Sequence, residues 1–264
     1  MRPDELLRRA GLPVSPCVPL AGGDTSEVHR CGPCVVKVHA GAPAGLFASE
    51  ARGLRLLASH GVPVPEVLHV EEEGLVLAHV PTGPADPEAL GRVIAAMHAV
   101  RGAAYGLERE VFLGPVRLPA GTGKDWRSLL WTRRIEPLLR LCHGRLGGLE
   151  ARVEAVAARV PLPSEGPRLL HGDLWSGNVL HGAEGPVLLD PGAWWGERAV
   201  DLAMMALFGG FGGRCEAAYR EALPVPAEVD AAVPFHQLPF LLVHVHLFGG
   251  SYVDGVRRVL ARYG

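Results

Sequence analysis

The sequence predicts an α+β fold in two lobes, a small β-rich N-terminal lobe with one main helix and a larger, mainly helical C-terminal lobe. Three observations carry this. Short strand-like runs bounded by turn residues crowd the first 80 positions. The breaker cluster Pro81-Thr82-Gly83-Pro84 then interrupts the chain. Beyond it, apolar residues recur mostly at helical spacing. The expected boundaries are 1–80 and 81–264, in a chain of 264 residues that is 48% apolar and long enough to bury a core.

In the first lobe, a short amphipathic helix covers about residues 3–10. Strand-like runs follow near Cys17–Leu20, Glu27–Cys31 and Cys34–His39, the last alternating and β-branched, with Gly32-Pro33 as the hairpin turn. From Leu46 to Ser59, Glu50, Leu54 and Leu57 lie on related faces of a helix that Gly61 and Pro63 stop. Val67–Val70 and Leu75–Val80 are two further strand-like runs around the acidic turn Glu71-Glu72-Glu73-Gly74. After the breaker cluster, Leu90, Val93, Ile94, Met97 and His98 share a helical face. Segments 125–143, 148–159, 200–208, 214–223 and 234–263 also read as helical. Strand character returns only around Val179–Leu180 and Val187–Leu189.

Net charge is -2 and no Lys/Arg block dominates, which argues against a nucleic-acid partner. The N-terminus lacks the apolar core of a signal peptide. Nowhere do ~18 apolar residues run together, and Leu238–Phe248 is short and broken by histidines, so no membrane partner and a cytoplasmic location are expected. Five cysteines in a chain of this size read as buried or surface thiols. Cys31-Gly32-Pro33-Cys34 spells a redox CxxC, but a strand rather than a helix follows it. The pair reads as cross-strand neighbours.

Rare residues point to chemistry. Lys occurs twice against 24 Arg, and Asn178 is the only Asn in the chain. Phosphoryl transfer needs a group to orient the acceptor hydroxyl, ligands for Mg²⁺, and a cation on the phosphates. In His171-Gly172-Asp173-Leu174-Trp175-Ser176-Gly177-Asn178, the Asp173 to Asn178 spacing is that of a kinase catalytic loop. The carboxylate would face the acceptor hydroxyl, and the amide oxygen would return to the metal without adding a repelling charge. Asp190 ends the apolar run Val187-Leu188-Leu189, where a carboxylate can hold metal rigidly. Lys37 lies mid-strand, as a compact ammonium for phosphate oxygens, and Glu50 in the next helix is its natural partner; a solvated strand Lys and a surface Glu are the plainer readings.

Weaker signals surround these. The turn Ala21-Gly22-Gly23-Asp24-Thr25-Ser26 allows close approach of backbone to phosphate, as an ordinary hairpin also would. Gly121-Thr122-Gly123-Lys124 is not a phosphate loop, because Leu118 and Asp125 break that pattern. His244 and His246, two apart on a helix, do not face one way and read, with His171 and His236, as satisfied histidines. Trp175, Trp194 and Trp195 flank the loop, and aromatic faces both stack on sugars and fill cores.

These residues resemble the fructosamine kinase (ketosamine kinase) family. The resemblance rests on L-L-H-G-D-L-W-S-G-N (169–178), L-L-D-P-G-A-W-W-G-E-R-A-V-D-L-A-M (188–204) and L-F-G-G-F (207–211). It extends to Gly-Gly-Asp at 22–24, V-V-K-V at 35–38, P-V-P-E-V-L at 63–68, the run at 105–115 and L-F-G-G-S-Y at 247–252. It implies a protein-kinase-like two-lobe fold and ATP- and Mg²⁺-dependent phosphorylation of a sugar hydroxyl on a glycated amine. Asp173 would be the catalytic base, Asn178 and Asp190 the Mg²⁺ ligands, and Lys37 with Glu50 the phosphate pair. The backbone of Ala78, His79 and Val80 would meet adenine, and Asp201 would brace the loop together with His171. The family usually shows D-N-F-I-G where this chain has Glu110-Val111-Phe112-Leu113-Gly114, and Q-P-N where it has Leu118-Pro119-Ala120. That loss of polar groups is expected to border the acceptor site. The alternative is a kinase of the same fold acting on another alcohol, such as an aminoglycoside or an amino alcohol.

Overall fold

The computed structural model describes residues 1–20, 26–163 and 165–264. The N-terminal region runs α1 (Pro3–Arg9), β1 (Cys17–Pro19), β2 (Glu27–Cys31), β3 (Cys34–Val38), α2 (Leu46–Ser59), β4 (Val67–Glu71) and β5 (Gly74–Ala78). Its strands form an antiparallel sheet in the order β1-β2-β3-β5-β4. Side chains alternate across a strand, so the two faces of this sheet take different partners. Val36, Val38 and Val76 pack on Leu6 and Leu7 of α1. Leu75 and Leu77 pack on Phe47, Ala51 and Leu54 of α2. Lys37, the register partner of Leu75, therefore points toward α2.

One cysteine expectation changes. Cys17 and Cys31 form a disulfide between register partners of β1 and β2, while Cys34 opposite Cys31 on β3 is a free, buried thiol. Cys31 and Cys34 are cross-strand neighbours as expected, but Cys31 is bonded on its other side. Burial pushes the Cys34 thiol pKa up, the reverse of a reactive redox cysteine.

The C-terminal region begins with α3 (Pro87–Ala99), capped by the Asp86 carboxylate on the N–H of Ala89 at 2.9 Å. Then come β6 (Tyr105–Leu107), β7 (Val111–Leu113), β8 (Val116–Leu118), β9 (Gly121–Gly123), α4 (Trp126–Leu130), a π-helical turn (Trp131–Ile135), α5 (Glu136–Leu141) and α6 (Glu150–Arg159). β10 (Arg168–Leu170), a 3₁₀ turn (Ser176–Asn178), β11 (Val179–Gly182), β12 (Gly185–Leu188) and β13 (Trp194–Gly196) follow. The chain ends in α7 (Ala199–Phe208), α8 (Gly212–Ala222), α9 (Ala227–His236), α10 (Leu238–Phe248) and α11 (Ser251–Ala261). The chain has more strand here than its sequence suggests, including a sheet ordered β10-β13-β6-β9. Those strands are three residues long, too short to display alternation, and β10 is buried throughout. The helical segments at 125–143 and 234–263 are also each divided, the second by Gln237 and by the Gly249-Gly250 turn.

Leu57 and Val62 share a core cluster with Leu90, Ile94, Leu169 and Leu188, so α2 is seated on the C-terminal region. The stretch Ala227–Phe248 reaches a mean hydropathy of 1.3, long and apolar enough by composition to cross a membrane, which differs from the sequence expectation. In this fold 56% of its most apolar window is buried inside the protein, as a core helix pair.

Candidate active site

The loop after β10 is held from beneath. The Asp201 carboxylate, fully buried at the start of α7, accepts the backbone N–H of His171 (2.7 Å) and of Gly172 (2.9 Å). His98 supplies a third contact through Nε2 at 3.1 Å, and its Nδ1 meets the Tyr219 hydroxyl at 2.9 Å. Arg198 continues the chain, donating to Tyr219 (3.3 Å) and to Glu165 (2.7 Å). Asp201 thus holds the loop through two backbone hydrogen bonds. His98, Tyr219, Arg198 and Glu165 were not foreseen; the only sequence signal was a histidine on an otherwise apolar helical face.

His171 completes the support. Its Nε2 donates to the Leu189 carbonyl at 2.8 Å, so its Nδ1 accepts the N–H of Asp173 at 3.3 Å. Burial lowers its pKa, keeping the ring neutral in that tautomer. Gly172 has φ +81, and a Cβ there would overlap the Gly192 carbonyl oxygen, so only glycine lets the loop lie this close to the segment after Asp190. Asp190 has φ +53, an unusual conformation for a non-glycine and one found at functional sites.

Lys37, Glu50 and Asp190 come together from three elements. Lys37 Nζ donates to Glu50 Oε1 at 2.7 Å and also to Asp190 Oδ1. The ammonium is buried, which alone would lower its pKa, but the carboxylates of Glu50 and Asp190 outweigh burial and hold it raised. Burial pushes Glu50 up to about 6, against the pull of Lys37. α2 reaches this position because Gly53 packs on Pro191; a Cβ at Gly53 would lie 2.9 Å from the Pro191 carbonyl oxygen.

Asp173 and Asn178 close the loop on itself. Asn178 Nδ2 donates to the Asp173 carbonyl (2.9 Å) and to Asp173 Oδ2 (3.2 Å), leaving the neutral Oδ1 for a hard cation. Leu189 N–H donates to the Asn178 carbonyl at 2.9 Å, which sets Asp190 beside it. Burial raises the Asp173 carboxyl to about 7, with the negative charge of Asp190 adding to it and the Asn178 hydrogen bond opposing. The chemistry of the donors fits a divalent cation: Asp190 lies near enough to Asp173 for its charge to raise that carboxyl, Lys37 offsets part of the Asp190 charge, and Asn178 Oδ1 adds a neutral oxygen beside them.

The remaining expected site residues divide. Trp175 is exposed (36%) and its ring lies over Gly177. Trp194 is a core residue instead, with the Arg134 guanidinium 4.1 Å over its ring and Trp126 stacked at 5.7 Å, so no sugar reaches it. Trp195 faces a different cavity of about 430 Å³ beside α2, lined also by Arg52 and Arg109. Glu110 and its hairpin, expected near the acceptor, pack against α2: Arg52 donates to the Glu110 carbonyl (3.2 Å) and Arg117 to that of Ala44 (2.6 Å). Ala78 and His79 spend their N–H groups on the carbonyls of Glu66 (2.9 Å) and Pro33 (2.8 Å). Gly22 and Gly23 lie outside the described residues. Beyond Trp175, a Cβ at Gly210 would overlap Ser176, so the 207–211 run abuts the loop. It carries Phe208 against His244 (5.0 Å), which also meets Tyr252 (4.8 Å) and Phe248 (5.6 Å), a partly exposed aromatic face.

A β-sheet region seated on a helical one, with these loops between, is the architecture of protein-kinase-like phosphotransferases. A macrolide 2'-phosphotransferase type I shares this fold at a TM-score of 0.63 over 98% of this chain and 93% of its own, with 17% identity. A Thermobifida fusca protein solved as a candidate fructosamine-3-kinase superposes at 0.87, with 34% identity and 98% of each chain covered. A Thermus thermophilus protein named a probable ketoamine kinase is 50% identical over 262 residues, 99% of both chains, and another from Lactiplantibacillus plantarum is 32% identical over 93% of both. The fructosamine kinase family model matches residues 19–263. The chain belongs to the fructosamine kinase family and is a phosphotransferase.

Proposed function

We propose that this protein transfers the γ-phosphoryl group of ATP, with Mg²⁺, to a sugar hydroxyl of a ketosamine of the fructosamine or ribulosamine type. The observation that carries the reading is the convergence of Asp173, Asn178 and Asp190 opposite the buried Lys37–Glu50 pair. Residues 1–80 act as the nucleotide lobe and 81–264 as the catalytic and acceptor lobe, in a cytoplasmic enzyme. The relatives' names as ketoamine kinases support the acceptor class.

Asp173 accepts the proton from the acceptor hydroxyl as its oxygen bonds to phosphorus and ADP departs. A carboxyl raised to about 7 is well matched to that transfer near neutral pH. Asn178 Oδ1 and Asp190 would hold Mg²⁺, which when bound would neutralise charge on the phosphates. Lys37 turns from Asp190 toward phosphate oxygens while Glu50 keeps it in place. The Ala78–Val80 backbone meets adenine through its carbonyls and the Val80 N–H, since the N–H groups of Ala78 and His79 are already donated. Trp175 and the face built on Phe208 and His244 receive the sugar.

The test is an acceptor screen with purified protein and MgATP, comparing fructosamine- and ribulosamine-bearing amines with aminoglycosides and amino alcohols. Turnover on the glycated amines, abolished by Asp173→Ala and Asp190→Ala, is the expected result. Turnover only on the other alcohols sinks the acceptor assignment, and unchanged turnover in either variant sinks the roles.

A further inference from the structure

Arg134 is 4% exposed, yet among the described residues no carboxylate pairs with it. It sits in the π-helical turn between α4 and α5, an irregularity that turns its side chain into the core. Its NH1 donates to the carbonyls of Arg133 (2.9 Å) and Pro119 (3.4 Å), and the guanidinium covers one face of Trp194. Among the described residues its Nε–H has no hydrogen-bond partner. The other charge acting on it is the like charge of Arg133; burial first, and Arg133 second, lower its pKa to about 9, still a cation at neutral pH. A buried, uncompensated charge is costly unless a counter-charge is present.

Beside it lies a cavity of about 20 Å³, room for roughly one water-sized sphere. Arg134, Val111, Leu118, Gly172, Gly192 and Trp194 line it. Apart from Arg134 itself, these walls are apolar side chains and glycines. The guanidinium is therefore enclosed by groups that cannot answer its charge. We propose that this cavity binds a single halide ion, chloride in solution, on the Nε–H of Arg134. A water molecule would accept the hydrogen bond but leave the charge uncompensated, and polyatomic oxyanions exceed the space. The ion lies under Gly172 and Gly192, which flank the segments bearing Asp173 and Asp190, so it is a structural ion beneath the catalytic floor.

The test compares thermal midpoints in sodium chloride and sodium gluconate at equal ionic strength, and locates bromide by anomalous scattering in crystals grown from sodium bromide. Saturating chloride is expected to raise Tm by roughly 2–4 °C over gluconate. A bromide peak is expected against Arg134 Nε. Arg134→Met, and separately Val111→Asp, which brings a carboxylate to the wall of the same cavity, should both abolish the chloride effect. Equal midpoints in the two salts, no bromide peak in the unaltered protein, or a chloride effect that persists in Arg134→Met would overturn the proposal and leave the cavity to water. If Arg134→Met does not fold, the bromide map of the unaltered protein decides.

Discussion

Asp173→Asn removes the proposed base while preserving shape, and it should make the free protein more stable as it becomes inactive. The folded protein raises this carboxyl from an ordinary 3.8 to about 7, mainly by burial and then by Asp190. A shift of that size corresponds to at most about 4 kcal/mol of penalty for the ionised form, at 1.36 kcal/mol per pH unit. Asp173 is only partly buried, so solvent screening reduces the net effect to about 1–2 kcal/mol. The sign follows from linkage: a carboxyl whose folded pKa is raised costs nothing below pH 4, and its cost grows as pH climbs to about 7. The assay is thermal unfolding in EDTA without nucleotide at pH 4.5 and pH 8, together with turnover at pH 8. The variant should gain roughly 2–8 °C at pH 8, gain much less at pH 4.5, and lose 10²–10⁴-fold in kcat. A gain that is the same at both pH values, or turnover within tenfold of the parent, refutes the reasoning.

Three further outcomes follow from the same geometry. Lys37→Met leaves Glu50 and Asp190 without their shared cation; it should cost about 2–4 kcal/mol at pH 8 and less at pH 5, where Glu50 protonates, and raise the KM for ATP. Thermal scans at the two pH values and ATP titrations check this. His98→Ala removes one of the three contacts on Asp201 and should lower stability by about 1–3 kcal/mol and kcat without moving the KM for ATP, read by calorimetry and steady-state kinetics. Cys17→Ala opens the disulfide across 14 residues and should cost roughly 2–3 kcal/mol in urea unfolding, a loss that dithiothreitol reproduces in the parent protein and does not add to in the variant.

The geometry of the proposed site was partly legible because its constraint is local. Asp173 and Asn178 sit on one tight loop, so their spacing alone announces it, and Asp190 follows a short apolar strand by two residues. Strands such as Cys34–Val38 showed because alternation needs about five residues to appear. The three-residue strands gave no such signal, and the Trp194 strand reads as aromatic filler whichever way it pairs. The segment from Glu110 to Ala120 has two neighbours that its sequence does not name: Arg52 of α2 donates to the Glu110 carbonyl, and Val111 and Leu118 line a cavity with Gly172 and Gly192. The disulfide partner of Cys31 was hidden for a related reason: Cys17 lies opposite it only once β1 pairs with β2.

By itself, the sequence determined the α+β class, the family, and the placing of Asp173 and Asn178 on one tight loop, of Lys37 on a strand and of Asp190 just after an apolar run. Each of these depends on covalent spacing or on a periodicity within one element. The tertiary structure decided which side chains meet: Lys37 with Glu50 and Asp190, Asp201 with His98 and Tyr219, Trp194 with Arg134 in the core. Those contacts join elements up to 153 residues apart. They depend on burial and on the charge of neighbours brought near by packing, and neither is a property of any local stretch of chain.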